Sequence, residues 1–270
     1  MSPRNPLLDV QHLHIAYGGE FAVRDLSFSL EAGQTMAIVG ESGSGKSSVL
    51  RAILGLDERG TARSGKILLD GSDLLTMKPS DRRLLCGPTV AMVFQDAGAS
   101  FCAIRRIGVQ IEESVRAHVS WTKDEILARA QLLMKRLDLP ESIWDAYPFE
   151  LSGGMGQRAG ILSAMMLRPR LLLADEPTSA LDVLSQLRVI DALWKMREAE
   201  GTALLMVTHN IEVAQHVADS ILVMRRGDCV EMGAREAILA HPQQDYTRKL
   251  LQSVPHLDAG AVSSGKESLS

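Results

Sequence analysis

The run Gly40-Glu41-Ser42-Gly43-Ser44-Gly45-Lys46-Ser47, followed by Ser48, sets three glycines, a lysine and a hydroxyl at the spacing of a phosphate-binding loop. Glycines let backbone N–H groups reach phosphate oxygens, Lys46 brings a positive charge to the terminal phosphates, and Ser47 offers a hydroxyl to Mg2+. The implied chemistry is the binding of a nucleoside triphosphate. Further along, Leu171-Leu172-Leu173-Ala174-Asp175-Glu176 ends an apolar run in two carboxylates. Asp175 is the expected metal-sphere residue and Glu176 the expected base toward water. A pair of surface acids is the plainer alternative. It is disfavoured because the pair directly follows a buried strand, where open α/β sheets place their ligands. Leu151-Ser152-Gly153-Gly154-Met155 reads as a helix N-cap beside two glycines, a second anion-accepting helix end; taken alone it is equally a plain capped helix.

Strands and helices must position these groups. Met36 to Val39 reads as the strand feeding the loop and Lys46 to Leu54 as the helix that follows, its N-terminal amides aimed at the same anion. Leu7 to Ala16 alternates as an edge-type strand does, and Phe28 to Leu30 leads through Glu31-Ala32-Gly33 to the next strand. Lys66 to Leu69 is a strand closing in a tight turn at Asp70-Gly71, and Val90 to Phe94 is a buried strand ending at Gln95. From Ile107 to Leu167 the pattern turns helical, with a capping box at Thr122 and Glu125 and Pro140 as the stop of that helix. Strands at Leu171–Ala174, Ala203–Val207 and Ile221–Met224, with a helix over Val183–Glu198, restore the α/β rhythm. The expected fold is an α/β P-loop core with an N-terminal antiparallel β portion and an inserted α-helical subdomain. Its core takes residues 6–95 and 168–254, the helical subdomain 96–167, and a disordered tail 255–270.

Composition narrows the class. The 270 residues are 46% hydrophobic and 23% charged with net charge −4, which is ordinary globular composition without a basic block. No nucleic-acid partner is therefore expected. The three cysteines, Cys86, Cys102 and Cys229, show no C-x-x-C spacing and read as reduced packing residues. The N-terminus lacks an apolar signal core and no apolar run approaches about 18 residues, so an intracellular chain is expected, meeting membranes through partners.

With these motifs in their order, the sequence resembles the ATP-binding subunit of an ABC transporter over nearly its whole length. Tyr17 matches the aromatic that stacks on adenine, Gly40 to Ser48 the Walker A loop, Gln95 the Q-loop and Leu151 to Gln157 the signature. Leu171 to Glu176 matches Walker B, Ser179-Ala180-Leu181-Asp182 the D-loop, and His209 the switch histidine. The resemblance implies a RecA-like core and a head-to-tail pair of such domains, in which Ser152, Gly153 and Gly154 of one cover the γ-phosphate bound by Lys46 of the other. It implies that Glu176 activates water, that His209 holds the γ-phosphate and water, that Gln95 senses Mg2+ and links core to helical subdomain, and that Asp182 belongs to the nucleotide site. The cofactors it implies are ATP and Mg2+.

Within that family, Tyr147 to Met155 and His241-Pro242…Tyr246-Thr247-Arg248-Lys249-Leu250-Leu251 look like the ATPases of peptide and nickel importers. Read from its residues, the second stretch is a Pro-started amphipathic helix whose plain role is packing. The implied partners are two membrane permeases, a second and different ABC ATPase, and an extracytoplasmic substrate-binding protein. The implied place is the cytoplasmic face of the inner membrane. No iron–sulfur cluster is expected, because the C-terminal region carries no cysteine, and the short C-terminus favours nickel or a metal chelate over peptide. Asp96-Ala97-Gly98-Ala99 departs from the family's Asp-Pro, Gly156 replaces a larger residue at a helix-propensity cost of about 1 kcal/mol, and Asn210 replaces Asp as a helix cap. The rival of another class is a soluble ABC ATPase of translation or DNA repair. One motif set and no sustained heptads argue against it.

Overall fold

The computed structural model describes residues 6–56 and 61–252; the predicted tail 255–270 lies outside the described residues. Two long strands, β1 (Leu8–Tyr17) and β2 (Glu20–Leu30), form a hairpin through Gly18-Gly19. The wholly buried β3 (Thr35–Val39) runs into helix α1 (Lys46–Leu54). β4 (Ala62–Leu69) reverses at Asp70-Gly71, both at positive φ (52° and 78°), into β5 (Ser72–Asp73), the turn expected of that pair. α2 (Pro79–Leu85) leads to β6 (Val90–Val93). The next segment is helical, with α3 (Ile107–Arg116), α4 (Lys123–Arg136) and α5 (Gly153–Met165), the last two joined through two 3-10 turns. β7 (Leu171–Asp175), α6 (Val183–Glu200), β8 (Ala203–Thr208), α7 (Ile211–Val217) and β9 (Ser220–Arg225) restore the alternation. β10 (Asp228–Ala234), α8 (Arg235–Ala240) and α9 (Asp245–Gln252) complete the described chain.

The strands make two sheets, ordered β2-β1-β4-β5 and β10-β9-β3-β8-β7-β6. The first is antiparallel; in the second every neighbour pair is parallel except β10 with β9. A parallel sheet is covered on both faces, so its strands are apolar throughout and the period-2 alternation assigns each residue to one of two cores. Ala37, Val39, Leu172, Ala174, Leu204, Met206, Ile221 and Val223 join the core beneath α3–α7. Met36, Ile38, Leu171, Leu173, Leu205, Val207, Leu222 and Met224 join the core shared with α1 and the antiparallel sheet.

Several expectations need correction. β1 is interior rather than an edge, because β4 pairs on its second side through Leu8↔Leu69 to Ala16↔Ala62. α4 ends at Arg136, not at Pro140: the cap residue Leu137 returns its N–H to Leu133 and Met134, and Asp138 turns to φ 49°. Pro140 instead opens the 3-10 turn Glu141–Trp144. Cys102 and Cys229 are exposed and only Cys86 is half-buried, so packing accounts for one of the three cysteines. Pro242 precedes α9, which begins at Asp245. The Thr122–Glu125 capping box forms as expected, and Asn210 Oδ1 accepts from Glu212 N at 2.9 Å as the cap of α7.

A buried ion cluster ties the helical segment to the core. Glu200, at the C-terminal end of α6 where the helix dipole disfavours a negative charge, accepts from Arg129 of α4 at 3.0 Å and from Arg136, with Arg168 at 3.6 Å. Arg129 also donates to the Met165 and Met166 carbonyls. Burial works against the Glu200 carboxylate, but the Arg129 and Arg136 hydrogen bonds and charges outweigh it and hold its pKa below the usual range. A depressed carboxylate stabilises the fold above its unfolded pKa of about 4.3 and loses that contribution as pH falls. Glu200→Ala should therefore lower stability by about 3 kcal/mol at pH 7, with the gap to the parent narrowing below about pH 4 in urea titrations.

Candidate active site

Four adjacent strands of the parallel sheet, in the order β3-β8-β7-β6, end at the same edge. Their register pairs Val39 with Thr208, Asp175 with Val207 and Val93 with Ala174. One step beyond lie the Gly40 loop, His209, Glu176 and the Gln95 segment. Strand order thus gathers at one edge groups scattered over the chain.

The loop between β3 and α1 is fixed by close backbone approach. A Cβ at Gly40 would stand 2.1 Å from the Met224 carbonyl, and one at Gly45 (φ 97°) 2.1 Å from the Ala22 carbonyl, so neither position accepts a side chain. Ser44 accepts from Gly227 N at 3.1 Å, and Gly227 accepts from Arg24 N at 2.8 Å, so β2 and the β9–β10 turn brace the loop. Lys46 is only 4% exposed. Its Nζ donates to the Gly40 and Glu41 carbonyls, both at 2.8 Å, and approaches Ser44 Oγ at 3.5 Å. Burial lowers the Lys46 pKa, against the opposing charges of Glu176, Asp175 and Glu41. Ser42, Gly43 and Ser48 complete the loop, with Ser42 and Gly43 exposed where a ligand would arrive.

Opposite the loop, Ser47 Oγ donates to Asp175 Oδ1 at 2.7 Å. Burial, joined by the neighbouring Glu176 charge, raises the Asp175 pKa despite the Ser47 hydrogen bond. Glu176 has φ 44°, an uncommon conformation for a residue with a side chain, and its N–H is held by the Val207 carbonyl at 2.9 Å. Its Oε2 meets His209 Nδ1 at 3.0 Å. A hydroxyl and a carboxylate oxygen in contact form a hard-oxygen donor set that suits Mg2+, and the buried lysine beside them suits a polyphosphate.

The remaining residues divide. Tyr17 is half-buried at the tip of the β1–β2 hairpin, whose Ala22 touches the loop at Gly45. Gln95 is exposed just after β6. Ser152 caps α5 by accepting from Met155 N at 3.4 Å, Gly153 lies against Leu181, and Gly154 against Ser185. Asp182 caps α6 by accepting from Ser185 N at 3.0 Å. Among the described residues, no hydrogen bond or ion pair joins Ser152, Gly153, Gly154 or Asp182 to the loop of residues 40–48. Two groups emerge: a sheet-edge group around the loop of residues 40–48, and a helix-cap group at the starts of α5 and α6.

Two features were not legible in the motifs. Gln157, buried in α5, donates to the Phe94 carbonyl and accepts from Ala97 N, both at 3.0 Å, clamping the segment around Gln95 to α5. The atypical Gly98 and Gly156 also prove complementary, since a Cβ at Gly156 would lie 3.2 Å from the Gly98 Cα. The lost helix propensity is matched by close backbone packing. A Gln three places beyond a Gly-Gly pair and two glycines far apart in sequence carry no local signal of either contact.

Residues 23–179 match the family model described as ABC transporter. The dipeptide transport ATP-binding protein DppD of Escherichia coli (strain K12) is 40% identical over 256 residues, covering 92% of this chain and 78% of that protein. The metal-staphylopine import system ATP-binding protein CntD of Staphylococcus aureus (strain Mu50) is 37% identical over 251 residues, covering 92% and 93%. A bacterial ABC transporter cassette solved as a dimer is similar at a TM-score of 0.75 and 25% identity, over 84% of this chain and 98% of that one.

Proposed function

The chain belongs to the ABC transporter family as an ATP-binding domain, and from that membership we propose that it hydrolyses ATP to energise solute import through partner permeases. The observation that carries the reading is the pairing of Ser47 with Asp175 and of Glu176 with His209 beside the buried Lys46 at one sheet edge. Lys46, held by the Gly40 and Glu41 carbonyls, turns its third N–H, which only approaches Ser44 Oγ at 3.5 Å, to phosphate oxygens. Ser47, Asp175 and Gln95 would hold Mg2+, which when bound neutralises phosphate charge. Glu176 takes the proton of the attacking water, and His209, oriented by Glu176, steadies the γ-phosphate. Tyr17 stacks on the base.

Ser152, Gly153 and Gly154, with Asp182 beside them, complete the site of a second ATPase arranged head to tail. The separation of this group from the loop within one chain supports that arrangement, as does the dimeric relative. A groove of about 500 Å3 lined by Phe94, Phe101, Gln110, His118 and Ser163 borders the segment 96–103 and is the proposed seat of a permease helix. No helix among the described residues is long and apolar enough to cross a membrane; the place proposed from family membership is the cytoplasmic face of the inner membrane, as a peripheral subunit. The second ATPase is a sister chain, and an extracytoplasmic binding protein selects the solute.

The solute is read as nickel or a metal chelate, the class to which the metal-staphylopine system belongs by name. The 40% identity to a dipeptide system favours the second reading, short peptides. Uptake of radiolabelled nickel, with and without a chelator, and of a labelled dipeptide, in cells carrying the native chain or Lys46→Ala, separates them. Selective loss of nickel uptake supports the first reading, selective loss of dipeptide the second. Loss of neither overturns import and returns the soluble ATPase of translation or repair.

A further inference from the structure

Tyr246 belongs to none of the nucleotide motifs, yet its hydroxyl accepts a hydrogen bond from the Glu41 backbone N–H at 3.3 Å. That N–H and the Gly40 carbonyl are the two polar ends of one peptide unit, and the carbonyl accepts from Lys46 Nζ at 2.8 Å. A peptide unit is planar, so its two ends turn together. Tilting it away from Tyr246 also swings the Gly40 carbonyl away from Lys46.

Tyr246 is held firmly enough to serve as a reference point. The Arg225 guanidinium, at the end of β9, lies 4.8 Å from the ring centroid. β9 is itself the hydrogen-bonded neighbour of β3, from which the loop springs. The approach to α9 is tied to β10, because the Glu231 carboxylate accepts from Gln243 N at 2.7 Å and Gln244 N at 3.1 Å. Arg248 donates to the Pro242 carbonyl at 2.8 Å, and Thr247 is fully buried. Burial raises the Tyr246 pKa, so the hydroxyl keeps its proton at neutral pH.

We propose that Tyr246 is a positioning residue of the phosphate-binding loop, presetting the Gly40–Glu41 peptide and through it Lys46, so that α9 takes part in ATP binding. The proposal rests on the loop being an ATP site. A flexible loop must be ordered when nucleotide arrives, and a loop held beforehand loses less freedom on binding.

Tyr246→Phe keeps the ring, the Arg225 contact and the packing, and removes only the hydroxyl. With purified full-length chain, the Kd and KM for ATP should rise about three- to tenfold, the net worth of one hydrogen bond, with kcat within about twofold. The melting temperature without nucleotide should stay within about 2 °C of the parent. A purely structural residue would shift melting and leave KM unchanged. In a Lys46→Ala background the same substitution should add no further loss of affinity for a fluorescent ATP analogue, because the two act through one peptide unit. Unchanged ATP affinity in Tyr246→Phe, or an equal loss in both backgrounds, overturns the assignment while leaving the ATP site intact. A parent chain that binds no ATP overturns the site and the assignment together.

Discussion

Glu176→Gln is expected to lower ATP turnover by about two to four orders of magnitude, the usual contribution of a positioned general base, while leaving ATP binding intact. The amide has the shape of the carboxylate, and it keeps a polar atom facing His209 Nδ1, which stands 3.0 Å from Glu176 Oε2. What it lacks is the capacity to take a proton from water. The backbone at φ 44° is held by the Val207 carbonyl and by the turn to Ser179, so the substituted side chain should occupy the same place. With hydrolysis blocked, ATP should persist between this chain and the sister ATPase and shift a mixture of the two to a dimer on size-exclusion chromatography. Release of phosphate from labelled ATP and elution with and without ATP are the two measurements. A variant that stays monomeric with unimpaired turnover removes Glu176 from the chemistry.

Lys46→Ala should have a comparably large effect by another route. Lys46 is buried, and its ammonium faces the carboxylates of Asp175, Glu176 and Glu41 while donating to two loop carbonyls. Taking it away leaves a triphosphate to approach these carboxylates without that cation. Charge-assisted hydrogen bonds contribute about 1.5–3 kcal/mol each, so ATP affinity should fall at least about tenfold. Hydrolysis should fall by about a thousandfold, because the same ammonium meets charge that develops during phosphoryl transfer. Thermal melts give the check. ATP should raise the melting temperature of the parent and leave that of the variant nearly unmoved. An equal ATP-induced shift in both proteins would refute the role given to Lys46.

Much of the candidate site is legible in the amino-acid order because each sheet-edge group follows an apolar strand, and strand ends are written locally. Met36 to Val39 announces the loop, and Leu171 to Ala174 announces Asp175 and Glu176. The capping boxes and caps at Thr122, Ser152 and Asn210 are equally local, since they use side chains within three residues of the groups they satisfy. What escapes is set by neighbours distant along the chain. The alternation of β1 signals one buried face but not whether a second strand pairs beyond it, which is why an interior strand reads as an edge. The exposure of Cys102 and Cys229, the meeting of Gly98 with Gly156, and the approach of Tyr246 to Glu41 depend on how separate elements pack. The role of Gln157 belongs to the same class, since its partners lie in the segment after β6.

The position of β3 in its sheet has a consequence for the order in which the protein is made. β3 pairs with β8 through Thr35↔Leu204 and with β9 through Met36↔Ser220, and both partners belong to the last third of the chain. A chain emerging from the ribosome therefore has every strand of the β1–β2–β4–β5 sheet and the helices of the inserted segment before the strand that carries the loop of residues 40–48 has its neighbours. Such long-range parallel pairing is slow to form and leaves an unpaired apolar strand exposed meanwhile. The loop of residues 40–48 is thus among the first segments translated, and the sheet edge it belongs to is among the last to exist.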